Sequence, residues 1–357
     1  MVALILKSTV KSMFGFSSRK AVLSVLAIAS TLIISQVQAG TNPSQQRRKK
    51  FYASKTSAHK SKPTLRAKNT KKSKQKLSAK TFAKKTQIAF VENARPSAGD
   101  VAGLKHDDAL ALASNVAFVV DQDSSKVLFE KNAEVSLPIA SITKLMTSLV
   151  VVEAKQDLNE VIEITNDDLD KEKGTGSRLV IGAKLSRADL LHIALMSSEN
   201  RAASALGRNY PGGLSAFVAA MNAKAKQLGM NDTYYVDSSG LSSKNVASAR
   251  DLVKLINAAY QYPLIREYST DSKYAVNPRG RQLLEYGTTN KLVDSSDWNI
   301  GLQKTGYIAE AGRCLVMQAI IEGRAVVMVF LDSKGKYSRL ADAGRIKKWI
   351  QSMHPQG

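Results

Sequence analysis

Ser141 and Lys144 are the residues of this sequence whose types and spacing could perform covalent chemistry. They lie three residues apart in PIASITKLMTSLVVVEA, residues 138–154, which the sequence predicts to be a largely buried helix. Residues i and i+3 share one face of a helix, so the two side chains could meet. A serine becomes a useful nucleophile when a base accepts its proton. The pair is therefore a candidate nucleophile and base.

Lys144 could act as that base only if its pKa fell from about 10.4 towards neutrality, which requires burial or a nearby cation. Its neighbours Ile142, Leu145 and Met146 are apolar, so burial is expected. A position near a helix N-terminus would also direct the backbone N–H of Ser141 towards a developing oxyanion.

The spacing alone is weak evidence, because the chain is rich in lysine. Ser-x-x-Lys also begins at five other serines: Ser8, Ser17, Ser57, Ser73 and Ser333. Only its apolar, helical surroundings distinguish Ser141 from these.

Two further polar elements could complete a site. Ser198 and Asn200 place a hydroxyl and a carboxamide together where the apolar helical stretch 187–196 breaks into a polar turn. Lys-Thr-Gly at residues 304–306 occurs once and ends a predicted strand, where glycine permits close approach of a ligand. Each also has an ordinary structural explanation, a helix cap for the first and a strand-to-turn transition for the second.

In this order, Ser-x-x-Lys, Ser-x-Asn and Lys-Thr-Gly form the active-site set of penicillin-binding proteins and serine β-lactamases. Stretches such as SRADLLHIALMSSENRAASAL and LQKTGYIAEAGRCLVM also resemble the low-molecular-mass penicillin-binding proteins of the D-alanyl-D-alanine peptidase family. The resemblance covers roughly residues 115–349.

The resemblance implies catalytic roles for three side chains and an oxyanion hole. Ser141 would form the acyl-enzyme, Lys144 would accept its proton, and Ser198 would relay a proton to the leaving amine. The backbone N–H groups of Ser141 and Tyr307 would bind the oxyanion.

It also implies how substrate is held. Asn200 would contact the substrate amide and Lys144, and Lys304 would act as a second cation that lowers the pKa of Lys144. Lys304 and Thr305 would bind the carboxylate side of the substrate or of a β-lactam, next to Gly306. No metal or cofactor is implied, and the four histidines lack metal-ligand spacing.

The first hundred residues do not look like a core. Residues 1–39 combine a basic leader, an apolar run at 21–35 and a small-x-small site ending at Ala39, which predicts a secretory signal peptide. An uncleaved anchor helix is the alternative. Residues 40–100 are predicted to form a basic, disordered arm, because residues 41–91 hold 16 Lys or Arg and no acidic residue.

Residues 1–91 carry 20 of the 22 net positive charges, since residues 92–357 have 32 basic and 30 acidic residues. Nucleic acid is not the expected partner of an exported arm. Anionic envelope polymers or lipid head groups are more plausible, and a solvated tether is the alternative. The expected location is the periplasm, with loose membrane association left open.

Residues 101–357 are predicted to form the peptidase domain, of α+β class. Two strands lie near its start, helices in the middle, and a hairpin and a helix at its end. This order predicts an antiparallel sheet built from both ends of the domain and packed by helices. The resemblance implies a β-lactamase/transpeptidase-like fold with a helical subdomain. Specific helices are predicted at 187–196, 201–208, 214–228, 248–260 and 337–353, and the hairpin at 314–331.

The implied function is a D-alanyl-D-alanine endopeptidase that hydrolyses peptidoglycan cross-links through a serine acyl-enzyme, is inhibited by β-lactams and serves cell-wall remodelling and cell shape. A D-alanyl-D-alanine carboxypeptidase would share the catalytic centre, but it usually carries a further β-rich domain, for which the 51 residues after Gly306 leave no room. A β-lactamase is disfavoured because no glutamate lies between Glu199 and Glu267. A non-catalytic wall-binding protein would require the three motifs to be coincidental.

Overall fold

A five-stranded antiparallel sheet organises the part of the chain that the computed structural model describes, residues 96–104, 107–280 and 283–353. The strand order is β2-β1-β11-β10-β9. The first two strands come from the start of the domain and the other three from its end, as the sequence predicts. Their bounds are β1 Ser114–Asp121, β2 Val127–Lys131, β9 Asn299–Ile308, β10 Gly312–Ile321 and β11 Arg324–Ser333.

The central strands are buried on both faces, which explains why they read as almost continuous apolar runs. All eight residues of β1 are buried. Val116 and Phe118 point into the larger of two hydrophobic clusters, whereas Ala117 and Val119 point into the smaller one. This alternation is the side-chain periodicity of a strand.

The two clusters are covered by different helices. The final helix, α8 (Ser338–Met353), packs Ala343, Ile346 and Ile350 against the smaller cluster. Six helices contribute buried side chains to the larger cluster. They are α2 Thr143–Glu153, α3 Arg187–Met196, α4 Asn200–Arg208, α5 Gly213–Gln227, α6 Ala249–Tyr260 and α7 Pro263–Thr270.

Three short strand pairs connect these helices. They pair β3 (Leu137–Pro138) with β6 (Val246–Ala247), β4 (Val161–Glu163) with β5 (Lys184–Ser186), and β7 (Lys273–Val276) with β8 (Leu284–Gly287). Within the described ranges, no helix has the length and apolar character needed to span a membrane.

The segment that holds Ser141 is not one continuous helix. Pro138 belongs to β3, and a 3-10 turn over Ala140–Ile142 precedes α2. Ala140 has φ 47°, a left-handed conformation that an α-helix cannot contain. Ser141 therefore lies in a tight turn that leads into the helix carrying Lys144.

Pro263 follows the helix predicted at 248–260 and begins a further helix, α7, where it occupies the first turn. A proline is favoured there because its missing N–H has no partner in a helix anyway. The described chain thus contains one helix more in this region than the apolar periodicity predicts.

The described fold already includes residues just before the predicted domain start at residue 101, and the predicted arm boundary at residue 100 stays a prediction. The short helix α1 (Ala98–Val101) is capped by Ser97. Asp332 accepts hydrogen bonds from Ser97 Oγ at 2.7 Å and from the Gly99 N–H at 3.1 Å. Polar contacts hold this helix, and they leave no hydrophobic pattern in the sequence. The predicted signal peptide and residues 40–95 of the arm lie outside the described residues.

Candidate active site

The turn that presents Ser141 is shaped by a glycine from another part of the chain. Gly240 has φ +81°, and a Cβ there would overlap the carbonyl of Ala140. The loop at Gly240 therefore packs directly beneath the residue before the nucleophile, and only glycine fits the space and the conformation.

Lys144 lies one turn further on, fully buried, with its ammonium nitrogen surrounded by oxygen atoms. Its Nζ is 2.8 Å from Ser141 Oγ, 2.8 Å from Asn200 Oδ1 and 2.5 Å from the carbonyl oxygen of Ser239. Burial lowers the pKa of Lys144 to about 7, and the carboxylates of nearby acidic residues only partly oppose this. A lysine with this pKa is substantially neutral near neutral pH and can act as a base.

Ser198 faces the pair from the connection between α3 and α4. It has φ 65°, so its backbone is held in a conformation that non-glycine residues rarely adopt. Ser198 Oγ accepts a hydrogen bond from Lys304 Nζ at 3.0 Å. The next residue, Glu199, caps α4 by accepting a hydrogen bond from the Arg201 N–H.

Lys304 is also fully buried, and burial, together with the charge of Lys144, holds its pKa well below the ordinary value. Burial is the largest cause of the Lys144 shift, and a contribution of Lys304 to that shift stays a prediction. The charge of Lys144 is one cause of the low pKa of Lys304, because two buried cations that lie close together resist being charged at the same time.

Strand β9 is the edge of the sheet, and its Lys-Thr-Gly segment lies against the nucleophile turn. A Cβ at Gly306 would be 2.9 Å from the Ile139 carbonyl oxygen and 3.1 Å from the Ser141 nitrogen. Thr305 Oγ1 is 2.6 Å from Thr289 Oγ1. The glycine thus permits β9 and Ser141 to approach closely.

The predicted site residues other than buried Lys144 and Lys304 line one cleft of about 230 Å³. Tyr307 is 56% exposed at its rim, with the Arg313 guanidinium 4.4 Å from the ring centroid. The use of the Ser141 and Tyr307 N–H groups as an oxyanion hole stays a prediction. The lining residues are Ser141, Ser198, Asn200, Thr289, Thr305, Gly306, Tyr307 and Arg339.

Arg339 is a cleft residue that sequence reasoning missed. It lies on α8, is 8% exposed, and its Nε has no hydrogen-bond partner among the described residues. Burial, followed by the charge of Arg313, lowers its pKa. It falls in no motif, so nothing in the sequence pointed to it.

The Asp237–Gly240 turn was also missed, although Asp-Ser-Ser-Gly is a recognisable turn pattern. The Asp237 carboxylate accepts from the N–H groups of Ser239 at 2.6 Å and Gly240 at 2.5 Å. This turn supplies the carbonyl oxygen that contacts Lys144 and the glycine beneath Ala140. In the described part of the chain, no cluster of three or more His, Cys, Asp or Glu is placed to hold a metal ion.

A serine hydrogen-bonded to a buried, low-pKa lysine beside the edge strand of an antiparallel sheet defines a serine-type acyl-transfer enzyme. The family model described as D-alanyl-D-alanine carboxypeptidase matches residues 104–335, and the chain belongs to this family. The predicted family and enzyme class, a serine-type D-alanyl-D-alanine peptidase, are confirmed.

The chain is similar to several characterised relatives. A D-alanyl-D-alanine endopeptidase of Pseudomonas aeruginosa is 48% identical, over 68% of this chain and 78% of that protein. One of Escherichia coli is 46% identical over the same shares. A D-alanyl-D-alanine carboxypeptidase of Escherichia coli is 29% identical, over 65% of this chain and 59% of that protein.

Solved structures confirm the predicted α+β, transpeptidase-like fold. The D-alanyl-D-alanine carboxypeptidase of Mycobacterium tuberculosis has a TM-score of 0.62 and 26% identity, over 71% of this chain and 95% of that one. A Streptomyces DD-transpeptidase has a TM-score of 0.62 and 24% identity, over 68% of this chain and 98% of that one.

Proposed function

We propose that this protein is a D-alanyl-D-alanine endopeptidase that cleaves peptidoglycan cross-links through an acyl-enzyme on Ser141, and that β-lactams acylate the same serine. The observation that carries the proposal is the 2.8 Å contact between Ser141 Oγ and a lysine whose pKa is about 7. The relatives named endopeptidases share 46–48% identity with this chain, against 29% for the carboxypeptidase, which favours cross-links as substrate.

The hydrogen bonds around Lys144 direct its lone pair at the nucleophile. A neutral lysine has two N–H donors and one lone pair. Asn200 Oδ1 and the Ser239 carbonyl oxygen can only accept, so they take both N–H groups. The lone pair then faces Ser141 Oγ, ready to receive its proton.

Acylation follows from this arrangement. Ser141 Oγ attacks the carbonyl carbon of the D-alanyl residue while its proton passes to Lys144 Nζ. The backbone N–H groups of Ser141 and Tyr307 hold the resulting oxyanion. The C–N bond then breaks, and the leaving amine takes, through Ser198, the proton that Lys144 accepted, so that Lys144 is neutral again. Water hydrolyses the ester, with Lys144 again as the base.

Three groups on the β9 side of the cleft provide a subsite for the carboxylate beside the leaving amine. Lys304 and Arg339 supply positive charge and Thr305 supplies a hydroxyl. The Arg339 Nε without a partner is a donor that a bound carboxylate would satisfy, and burial strengthens such charge-assisted hydrogen bonds.

Labelling with a fluorescent penicillin tests the covalent step. The protein should gain the label on the peptide that contains Ser141, and Ser141→Ala should abolish it. Ser333→Ala removes the other Ser-x-x-Lys serine of the domain, so this matched variant should label fully. If the wild type does not bind the fluorescent penicillin covalently, the proposal is wrong.

Chromatography of digested wall fragments separates endopeptidase from carboxypeptidase activity. The proposal expects cross-linked dimers to become monomers. Pentapeptides that lose only a terminal D-alanine, with dimers left intact, would assign the protein to the carboxypeptidases instead.

The site of action that we propose is the periplasm, reached by the signal peptide predicted in residues 1–39. The basic arm would then meet anionic envelope components. Fractionation of cells, with sequencing of the mature N-terminus, tests the location and the signal peptide. Recovery in the cytoplasm with residues 1–39 intact would refute both.

A further inference from the structure

A loop between β4 and β5 reaches the active site through Thr175. Thr175 Oγ1 accepts a hydrogen bond from Asn200 Nδ2 at 3.1 Å. The same hydroxyl donates to Asp170 Oδ2 at 2.7 Å, and the Thr175 N–H donates to that oxygen at 2.7 Å. Thr175 thus links a carboxylate outside the site to the residue that contacts Lys144.

Asp170 fixes the direction of this chain of hydrogen bonds. Burial opposes its ionisation, but hydrogen bonds from the Lys173 N–H, from Thr175 and from the Glu172 N–H outweigh this and lower the pKa of Asp170 to about 2. At neutral pH it is a carboxylate, which can only accept. The Thr175 O–H must therefore donate to it, and this leaves the Thr175 oxygen to accept from Asn200.

The amide of Asn200 can present either its oxygen or its nitrogen to Lys144. With its nitrogen held by the Thr175 oxygen, the amide turns Oδ1 towards Lys144 Nζ, where the distance is 2.8 Å. In the opposite orientation the donor Nδ2 would face Lys144, and its N–H would need the lone pair of Lys144 Nζ as an acceptor. The lysine would then be a poorer base for Ser141.

We propose that Thr175 is a positioning residue, which holds the Asn200 amide in the orientation that aims the Lys144 lone pair at Ser141. The inference rests on the proposed acylation of Ser141. Thr175 is exposed and touches Asn200 rather than the serine–lysine pair, so it acts through Asn200.

The loop is fastened at a second point on the other side of the cleft. Lys173 Nζ is 2.6 Å from Glu310 Oε1, in the turn between β9 and β10. Both side chains are partly exposed, at 26% and 43%, so the ion pair contributes modestly. It nevertheless connects the loop of Thr175 to the strand that carries the Lys-Thr-Gly segment.

Three variants of the full chain test the inference. Thr175→Val removes the hydroxyl and keeps the shape, whereas Thr175→Ser keeps the hydroxyl. Ser177→Ala deletes a hydroxyl in the same loop that bonds to Leu179 and not to Asn200. The rate of acylation by a fluorescent penicillin is followed by stopped flow from about pH 5 to about pH 10, which spans the pKa of Lys144.

Thr175→Val should lower the plateau rate at high pH by about three- to tenfold, as expected for one lost hydrogen bond. It should also move the midpoint of the pH profile below that of the wild type. An Nδ2 facing Lys144 disfavours the ammonium form, which lowers its pKa. The titratable groups that face Lys144, namely Asp237, Glu199 and Lys304, are unchanged in the variant. Thr175→Ser and Ser177→Ala should behave like the wild type.

If Thr175→Val instead loosened the loop without turning the Asn200 amide, the midpoint would move in the other direction. Solvent entry would raise the pKa of Lys144 towards its ordinary value, and the midpoint would move upwards. The inference is overturned if the midpoint of Thr175→Val moves upwards or its profile is unchanged, or if Thr175→Ser does not behave like the wild type. Thermal unfolding must first show that each variant is folded. If the wild type itself is not acylated, the proposed function fails instead.

Discussion

Burial of Lys144 makes the side chain reactive but destabilises the folded protein, because a fully buried ammonium group loses its hydration. The loss is reduced by giving up the proton, and this is why its pKa falls to about 7. The same burial that destabilises the charged side chain therefore makes it a base at neutral pH.

Lys144→Met tests this relation through stability. In the folded protein Lys144 loses its proton near pH 7, but in the unfolded chain it keeps the proton up to about pH 10.5. The unfolded chain binds more protons between these values, so the free energy of unfolding of the wild type should rise with pH across that window. The methionine variant lacks this dependence. Its stability relative to the wild type should be greatest below pH 7 and should decline towards pH 10.5.

Urea unfolding at several pH values measures this difference. Loss of the lysine also removes hydrogen bonds to Asn200 and Ser239, but that effect does not vary with pH. A stability difference that stays constant from pH 6 to pH 10 would contradict the low pKa of Lys144.

The site residues with distinctive types could be predicted from the sequence, whereas their partners could not. Ser141, Lys144 and Ser198 stand in motifs that the resemblance identifies. The Ser239 contact uses a backbone carbonyl, which any residue type provides, and Thr175 acts through a long-range contact with Asn200. Neither leaves a pattern in the sequence.

At the scale of elements, the approach of β9 to the nucleophile turn depends on Gly306. Gly306→Ala would place a Cβ 2.9 Å from the Ile139 carbonyl oxygen, which forces the strand and the turn apart. A small misplacement of reacting groups has a large kinetic effect, so acylation by penicillin should slow by about ten- to a hundredfold. Stopped-flow labelling checks this.

Gly344→Ala in α8 is the matched control. A Cβ there meets no atom within 4 Å, and alanine is a better helix former than glycine. The variant should acylate normally and unfold with a free energy higher by about 0.5–1 kcal/mol. If Gly306→Ala were acylated as fast as the wild type, this close approach would not be important for catalysis.

The strands of the five-stranded sheet and the long helices were predictable because their apolar pattern is strong, as in the hairpin of β10 and β11. Three local features were not. The turn at Ala140 depends on Gly240, a hundred residues away in the sequence, α7 begins at a proline, and α1 is held by Asp332. Each is decided by a tertiary contact or by a helix-end preference rather than by the local pattern.

At the scale of the whole molecule, α1 ties the beginning of the domain to its end. Removal of residues 1–103 would leave the buried Asp332 without its hydrogen bonds from Ser97 and Gly99, although the one from Asn115 at 2.8 Å remains. The loss should cost about 1–3 kcal/mol in the free energy of unfolding. Removal of residues 1–95 keeps α1, so this shorter chain is the reference against which the loss of α1 is measured. Urea unfolding distinguishes the two, and equal stability would show that α1 contributes nothing.

The basic arm offers a test that separates binding from catalysis. Deletion of residues 41–91 removes 16 positive charges and should weaken binding to isolated peptidoglycan or anionic vesicles, with most of the difference vanishing at high salt because the attraction is screened. Hydrolysis of a small substrate should be unchanged. Sedimentation with the polymer at two salt concentrations measures the effect, and identical binding would favour a solvated tether.

Cys314, the single cysteine of the sequence, lies opposite Gly306 in the ladder between β10 and β9. It is fully buried, and burial raises the pKa of its thiol to about 12, so thiol reagents can reach it only when these strands separate. The rate at which Cys314 is modified therefore reports how often β9 and β10 separate, directly behind the cleft. Its modification rate, read with and without bound penicillin, would report in a single unmodified protein whether acylation locks the strand that holds the Lys-Thr-Gly segment.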